Sequence, residues 1–505
     1  MPEPLGLPRS VLDRARRSRD ARFDGKFFIA VTSTRIYCRP ICPAKTSHDA
    51  NVRYYATAAE AAAAGFRPCL RCRPETAPGS PAWLGTSAVV RRALRLVQDG
   101  ALDESSLERL AERLGVGARH LTRLFMRHLG ASPAAIARTR RLHFAKQLLD
   151  ETDLPITEIA LASGFGSVRR FNDTFKAMYR RPPREIRKRL RMGRRQRDDA
   201  EIRLQLTYRP PYAWQHLLAF LAARAIPGLE CIREGTYTRA VRVSGRHAVL
   251  QVGPLETAHA LELRIRGAES SDLLPLASAA RRMFDLSADP ARITAVLQRD
   301  PLLRALRLRR PGLRIPCAWG PFETAVRAIV AEKTSPASAR LRLTRLVECA
   351  GPRLSAASEE ITRLFPTPDR VAGADLEQIG IPRETAAALR RFATAVDEGK
   401  FHLEEPSAEL AHALAELAGL GAWTAGFVAL CGLGDPDALP HGDPVLRRLA
   451  SASATVLSPA ALEAFAERWR PFRGYAVLHL WQSDSRADVQ PQVHHRRAPS
   501  LHVAL

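Results

Sequence analysis

The spacing of apolar residues changes twice along the chain and divides it into segments. From about Trp83 to Arg189 apolar positions recur at helical spacing, broken by short glycine-bearing turns. From Ile202 the period shortens: Ile202, Leu204, Leu206 and Tyr208 alternate with polar residues, which predicts a half-buried strand. Tyr237 to Val243 and Ala248 to Val252 predict further strands, and from about Asp289 the chain turns helical again. Pro and Gly mark a boundary at Ala77-Pro78-Gly79-Ser80-Pro81. The basic stretch from Arg187 to Arg197 marks a second, either as a solvated linker or as one lying along a polyanion. After Ser483 no period survives, and that tail is expected to be disordered.

These breaks predict a multidomain α+β protein. Its segments are a small α/β module over 1–78, an all-α domain over 83–190, a mixed α+β domain over 200–288, an all-α domain over 289–485 and a tail over 486–505. Net charge sharpens the picture: 505 residues with a formal charge of +25 point to a polyanionic partner. A membrane surface is the other polyanion, but no run of about 18 apolar residues occurs to span one. Met1 to Asp20 carries Arg and Pro without an apolar signal core, so a cytoplasmic location is expected. Cys231, Cys317, Cys349 and Cys431 are scattered singly, which suits reduced thiols rather than a disulfide framework.

The remaining cysteines carry chemistry. Cys38-x3-Cys42 and Cys69-x2-Cys72 are two close pairs joined by a longer loop, a spacing that lets four thiolates converge on one Zn2+ ion. Spacing alone leaves a purely structural zinc knot open. His48 lies nearby but is not needed for four-coordination. The surrounding residues, Phe28-Ile-Ala-Val-x-x-Thr-Arg-Ile-Tyr-Cys38-Arg-Pro-x-Cys42 and Ala64-Gly-Phe-Arg-Pro-Cys69-x-Arg-Cys72, closely resemble the N-terminal domain of the Ada family of methyl-phosphotriester repair proteins. The resemblance implies that Cys38 accepts a methyl group from a DNA backbone phosphotriester, with Cys42, Cys69 and Cys72 as the other zinc ligands. Zinc keeps thiols deprotonated at neutral pH, so a nucleophile is ready. Methyl transfer would take the cluster from a net charge of about −2 to about −1, weakening repulsion from phosphates and so switching promoter affinity.

In the helical segment, Ser106 to Gly115 followed by Arg119-His-Leu-Thr-Arg-Leu-Phe125 fits a helix-turn-helix, and Ile156 to Gly166 followed by Ser167-Val-Arg-Arg-Phe171-Asn-Asp-Thr-Phe175 repeats it. The pair resembles the AraC-type regulator domain. Leu121, Leu124, Phe125, Phe171 and Phe175 are assigned to core. Arg119, His120, Thr122, Arg123, Ser167, Arg169, Arg170 and Asn172 are the candidates for contact with two successive major grooves. An AraC-type pair implies RNA polymerase as a further partner, and a monomer suffices for an asymmetric site.

Further on, Gly419-Leu-Gly421-Ala-Trp-Thr lies between two apolar stretches and reads as a helix-hairpin-helix, whose backbone N–H groups can face a phosphate. Leu204-Gln-Leu-x-Tyr-Arg-Pro-Pro-Tyr-Ala-Trp214, Arg282-Met-Phe-Asp-Leu286 and Glu467-Arg-Trp-Arg-Pro-Phe-Arg-Gly-Tyr-Ala476 resemble the AlkA family of 3-methyladenine DNA glycosylases. This implies an α+β domain followed by a helix-hairpin-helix glycosylase domain, with Asp443 as the catalytic carboxylate and Trp423, Phe427 and Trp481 lining a pocket for a flipped alkylated base. Asp443-Pro444 is equally a helix start, with Asp as N-cap. The hairpin is also a candidate place for a monovalent cation. Trp423 stands where bifunctional relatives place a Schiff-base Lys, so a monofunctional enzyme acting on double-stranded DNA is expected.

Departures matter too. Ala331-Glu332-Lys333 puts Lys333 where the family fills the hole left by the flipped base, and Glu332 precedes it, an awkward charge beside DNA. Phe427 replaces a frequent Tyr. Pro316-Cys317 is followed by Ala-Trp, so the Pro-Cys-His-Arg motif of an O6-alkylguanine methyltransferase is missing. Two readings stand: an enzyme that also regulates transcription, and a methylation-sensing regulator with a degenerate glycosylase scaffold.

Overall fold

A computed structural model describes residues 7–74, 77, 88–98, 100–103, 105–191, 201–332, 334–354, 359–401, 403, 413–414, 421–451 and 456–483. Lys333, Gly419, the linker from 192, the Pro/Gly boundary at 78–81 and the tail after Ser483 lie outside these residues.

The first module opens with helix α1 (Arg9–Arg17) and then β1 (Phe28–Val31), β2 (Ile36–Cys38), β3 (Val52–Tyr55), α2 (Ala58–Ala63) and β4 (Arg67–Pro68). The strands form one sheet in the order β3-β1-β2-β4, antiparallel except for β2 and β4. Phe28, Tyr37, Tyr55 and Phe66 fill its core.

Among the described residues seven helices follow: α3 (Ala88–Gln98), α4 (Leu107–Arg113), α5 (Ala118–Leu129), α6 (Pro133–Glu151), α7 (Ile156–Ala162), α8 (Val168–Tyr179) and α9 (Pro183–Arg191). Ser106, Ser132 and Ser167 cap α4, α6 and α8 by accepting backbone N–H groups three residues on. Leu121, Phe125, Phe171 and Phe175 are fully buried, as the periodicity predicts, whereas Leu124 is only half-buried.

Helix α6 links the first module, the helical domain and the strand Ile202–Thr207. It buries Lys146, Gln147, Asp150 and Glu151 as well as its apolar residues. Lys146 pairs with Asp150 at 2.6 Å. The remaining polar groups reach sideways. His143 Nε2 and Tyr37 Oη, beside Cys38, are 3.0 Å apart. Arg73, beside Cys72, pairs with Asp150 at 2.6 Å.

The next domain has β5 (Ile202–Thr207), α10 (Trp214–Ala222), β6 (Glu230–Arg233), β7 (Thr236–Val243), β8 (Arg246–Leu255), β9 (Ala260–Arg266) and α11 (Leu273–Met283). Its antiparallel sheet runs β5-β9-β8-β7-β6, so β5 is an edge. An edge strand carries backbone groups that need partners. Here α6 supplies them: Gln205 N–H donates to Glu151 Oε2 (2.9 Å), and Gln147 Nε2 donates to Gln205 O (3.0 Å). Strands β6 and β9 complete the sheet beyond the three alternating segments anticipated above.

The last part is helical, as expected from about Asp289: α12 (Pro290–Leu297), α13 (Pro301–Arg309), α14 (Pro321–Ala331), α15 (Pro336–Ala350), α16 (Pro368–Ala372), α17 (Arg383–Asp397), α18 (Ala422–Phe427), α19 (Pro444–Leu449), α20 (Pro459–Ala466) and α21 (Arg473–Trp481). Among the described residues no helix is long and apolar enough to cross a membrane.

The first module is keyed into this C-terminal half by buried charge. Lys26 Nζ lies 2.6 Å from Asp289 Oδ1, and neither side chain is more than 5% exposed. Arg209, fully buried, donates to Asp24 O (2.7 Å), Ser287 O (2.9 Å) and Ala288 O (3.3 Å).

Candidate functional site

The four-cysteine site is assembled by strand order. Parallel pairing puts Tyr37 opposite Pro68, so Cys38 and Cys69 leave neighbouring strands side by side. Each is followed by a tight turn that returns Cys42 and Cys72. The four Sγ atoms lie within 4.8 Å of one another. Tetrahedral ligation with bonds of about 2.3 Å puts sulfurs about 3.8 Å apart, so the cluster fits one Zn2+. His48 is not in the cluster; its Nδ1 accepts Ala50 N–H at 3.4 Å.

The four sulfurs are not equivalent. Cys69 and Cys72 are buried, while Cys38 and Cys42 are partly exposed. Cys72 Sγ also accepts Arg39 N–H at 3.4 Å. A hydrogen-bonded, buried thiolate is a poorer nucleophile than an open one. Arg39 itself is buried, its Nε donating to Asp24 Oδ1 at 2.8 Å and its Nη1 to Cys72 O at 3.2 Å. Exposed Arg35, Lys45 and Arg71 stand near the cysteines in the chain; only their burial, not their sequence, distinguishes them from Arg39.

On the helical domain the predicted contact residues separate by exposure. Arg119, His120 and Arg123 on α5, and Ser167, Arg169 and Arg170 at the start of α8, are exposed. Thr122 and Asn172 are only half-buried. Arg123 Nη2 lies 2.9 Å from His120 Nδ1, Thr122 Oγ1 donates to Ala118 O (3.0 Å), and Ser167 is engaged as the α8 cap.

In the C-terminal half, Asp443 is held at four points. Its Oδ1 accepts Val445 N–H (2.8 Å) and Leu446 N–H (3.0 Å), capping α19. Its Oδ2 accepts the indole N–H of Trp423 (3.3 Å) and of Trp481 (3.1 Å). Cap and site are therefore one arrangement: the helix start fixes one oxygen and leaves the other facing aromatic rings. Phe427 completes the wall, stacked on Trp423 with centroids 5.4 Å apart and tilted against Trp481 at 6.3 Å.

Two glycines unremarked in the sequence make this convergence possible. A Cβ on Gly442 would lie 2.9 Å from Trp423 N, and one on Gly426 would lie 2.5 Å from Pro440 Cα. Helix α18 and the loop before Asp443 thus approach at backbone distance. The signal was present as Ala425-Gly426-Phe427, a glycine inside a helix.

At the hairpin, Gly421 N–H does not face outward. It donates to Glu332 Oε1 at 3.1 Å, and Thr424 Oγ1 donates to Glu332 Oε2 at 2.9 Å.

Fold and sites together define a multidomain protein that pairs a helix-turn-helix regulator with DNA-repair modules. Family models match in three places: the metal binding domain of Ada over 12–75, a helix-turn-helix domain over 110–189 and the AlkA N-terminal domain over 203–320. The chain is 37% identical over 472 residues to the Mycobacterium tuberculosis protein called "Probable bifunctional transcriptional activator/DNA repair enzyme AlkA", covering 93% of this chain and 95% of that one. The chain belongs to this family of bifunctional transcriptional activator/DNA repair enzymes. DNA-3-methyladenine glycosylase 2 of Escherichia coli is 33% identical over 55% of this chain and 96% of its own length. The bifunctional Ada protein of E. coli is 38% identical over 29% of this chain and 40% of its own. The Archaeoglobus fulgidus 3-methyladenine DNA-glycosylase shares the fold, with a TM-score of 0.51 over 57% of this chain and 99% of that chain at 20% identity.

Proposed function

We propose that this protein detects and repairs alkylated double-stranded DNA and regulates transcription in response. The observation that carries the excision reading is the placement of Asp443 Oδ2 against Trp423 and Trp481, with Phe427 alongside. A purine methylated on a ring nitrogen is cationic and stacks on electron-rich rings. It departs with the electron pair of its glycosidic bond and leaves neutral, so no general acid is needed. Asp443 then stabilises the positive charge at C1′ and takes a proton from the water that adds there. No lysine stands at the Trp423 position, and the product is an abasic site without strand cleavage.

At the other end, Cys38 is the methyl acceptor. Its sulfur attacks the methyl carbon of a phosphotriester, the C–O bond breaks, and the diester leaves as an anion. Bound Zn2+ would supply thiolates at neutral pH, held by Cys38, Cys42, Cys69 and Cys72. Cys38 is favoured over Cys69 and Cys72 by exposure. The thioether product does not leave, so each molecule turns over once. The cluster's lost negative charge favours promoter DNA on α5 and α8, with RNA polymerase the downstream partner and a monomer the acting species.

One experiment tests both halves. Methylated duplex is incubated with wild type and with Asp443→Asn, reading free 3-methyladenine and 7-methylguanine alongside the mass of the Cys38 peptide. Wild type should release base and gain one methyl on Cys38; the variant should gain the methyl and release no base. A folded wild type that gains the methyl but releases nothing would leave the regulator carrying a degenerate scaffold, the second reading that the departures at Glu332 and Lys333 raised in the sequence.

A further inference from the structure

We propose that Glu332 is a positioning residue of the base pocket: its carboxylate fixes the segment carrying Trp423 and Phe427 against Asp443. In sequence Glu332 is a liability, an anion where DNA must approach. In the structure it is turned into the protein.

Glu332 ends α14. Its N–H still donates to Ala328 O (2.9 Å), but its backbone is extended (φ −61°, ψ 128°), so its side chain departs from the helix and crosses to α18. There each carboxylate oxygen takes one donor, Gly421 N–H at 3.1 Å and Thr424 Oγ1 at 2.9 Å. Thr424 is fully buried, so its hydroxyl has a fixed direction. The bridge straddles Trp423, which lies between the two donors in the chain and donates to Asp443 Oδ2 at 3.3 Å. Helix α18 (Ala422–Phe427) runs on into a buried π-helical stretch, Val428–Gly432, which anchors its C-terminal end, whereas its N-terminal end at Gly421 has no side-chain cap. At the Trp423 end the ties are the Gly426 contact with Pro440 on one side and the Glu332 bridge on the other. A displacement of about 1 Å in a pocket wall is enough to cost about 10²-fold in rate.

The two substitutions separate bridge from charge. In Glu332→Gln the amide oxygen still accepts from Gly421, and the amide nitrogen donates to Thr424 Oγ1, so the bridge survives without the anion. In Glu332→Ala both links are lost. The proposal rests on the glycosylase reading, so two readouts are taken on the full zinc-loaded chain. One is single-turnover release of 3-methyladenine. The other is the 19F spectrum of 5-fluorotryptophan-labelled protein, with the Trp423 line assigned by Trp423→Phe.

In Glu332→Ala the rate should fall about 10- to 100-fold, and the Trp423 line should shift or broaden. Glu332→Gln should stay within about threefold of wild type, keep the Trp423 line, and bind methylated duplex more tightly at low salt because an anion beside the phosphates is gone. A Trp423 line unchanged in Glu332→Ala overturns the proposal, whether or not the enzyme is active. So does a Glu332→Gln variant as slow as Glu332→Ala, which would make the charge itself the requirement. Absence of base release by wild type strikes the glycosylase reading, while the 19F comparison still decides the role of Glu332.

Discussion

Replacing Lys26 by Met should destabilise the C-terminal half of the molecule, although Lys26 lies in the first module. Asp289, with no exposed surface, faces the Lys26 ammonium at 2.6 Å and caps α12 through Ala291 and Arg292 N–H. Burial lowers the Lys26 pKa more than the pull of Asp289 raises it, so the pair is costly to assemble. Breaking such a pair from one side is costlier, because a buried carboxylate then keeps only partial compensation; the loss is about 3–5 kcal/mol. The readout is urea unfolding of the zinc-loaded chain followed by tryptophan fluorescence. Five of the six tryptophans, Trp214, Trp319, Trp423, Trp469 and Trp481, lie in the C-terminal half, so fluorescence reports on the part that was not mutated. The midpoint should fall in Lys26→Met and largely recover in Lys26→Met/Asp289→Asn, where both charges of the pair are gone, Asn still caps the helix and the neighbouring buried Arg209 keeps its carbonyl partners. A Lys26→Met midpoint equal to wild type would refute the reasoning, since the first module would then not be holding Asp289 at all.

Two further outcomes follow from single residues. Asp285 is pushed up to about 6 by burial, against the opposing effects of Arg314, the Tyr475 hydroxyl (2.7 Å) and the Ile315 N–H (3.1 Å). Its folded pKa lies above the unfolded value, so stability falls as pH rises from about 4 to about 6; Asp285→Asn should gain up to about 3 kcal/mol over wild type between pH 4 and pH 8 in thermal unfolding. On the regulator, Arg123→Ala and Arg169→Ala should each reduce the salt slope of promoter binding by about one without changing the melting temperature, whereas Phe125→Ala should cost about 3–5 kcal/mol of stability.

What was legible in the sequence is local chemistry. The cysteine spacing places four sulfurs together because two short turns and one strand pair suffice to do so. The capping signal Asp443-Pro444 is local as well, and the cap points the second oxygen toward the pocket. The alternation from Ile202 to Tyr208 gave β5, yet nothing in it said that β5 is an edge or that Gln147 and Glu151, on a helix more than fifty residues earlier, satisfy Gln205. Strand β9 was legible by the same rule, since Leu261, Leu263 and Ile265 are buried and alternate with Glu262, Arg264 and Arg266.

The harder failure concerns charge. In a chain with 77 Lys and Arg, any one of them reads as solvated surface or as phosphate contact. Arg39, Lys26 and Arg209 are neither: each is buried and satisfied by carboxylates or carbonyls from another part of the chain. Glu332 fails in the same way with the sign reversed, read as repelling DNA and found bonded to Gly421 and Thr424. A charged residue's role is fixed by what surrounds it in three dimensions, and burying one uncompensated costs several kcal/mol. Lys26 and Asp289 meet that cost as a pair, 263 positions apart in the sequence and 2.6 Å apart in the fold. The same cost gives the junction its consequence: the first module cannot loosen from the C-terminal half without exposing or orphaning Lys26, Asp289 and Arg209 together, so the four-cysteine module and the half that carries Asp443 are coupled in stability.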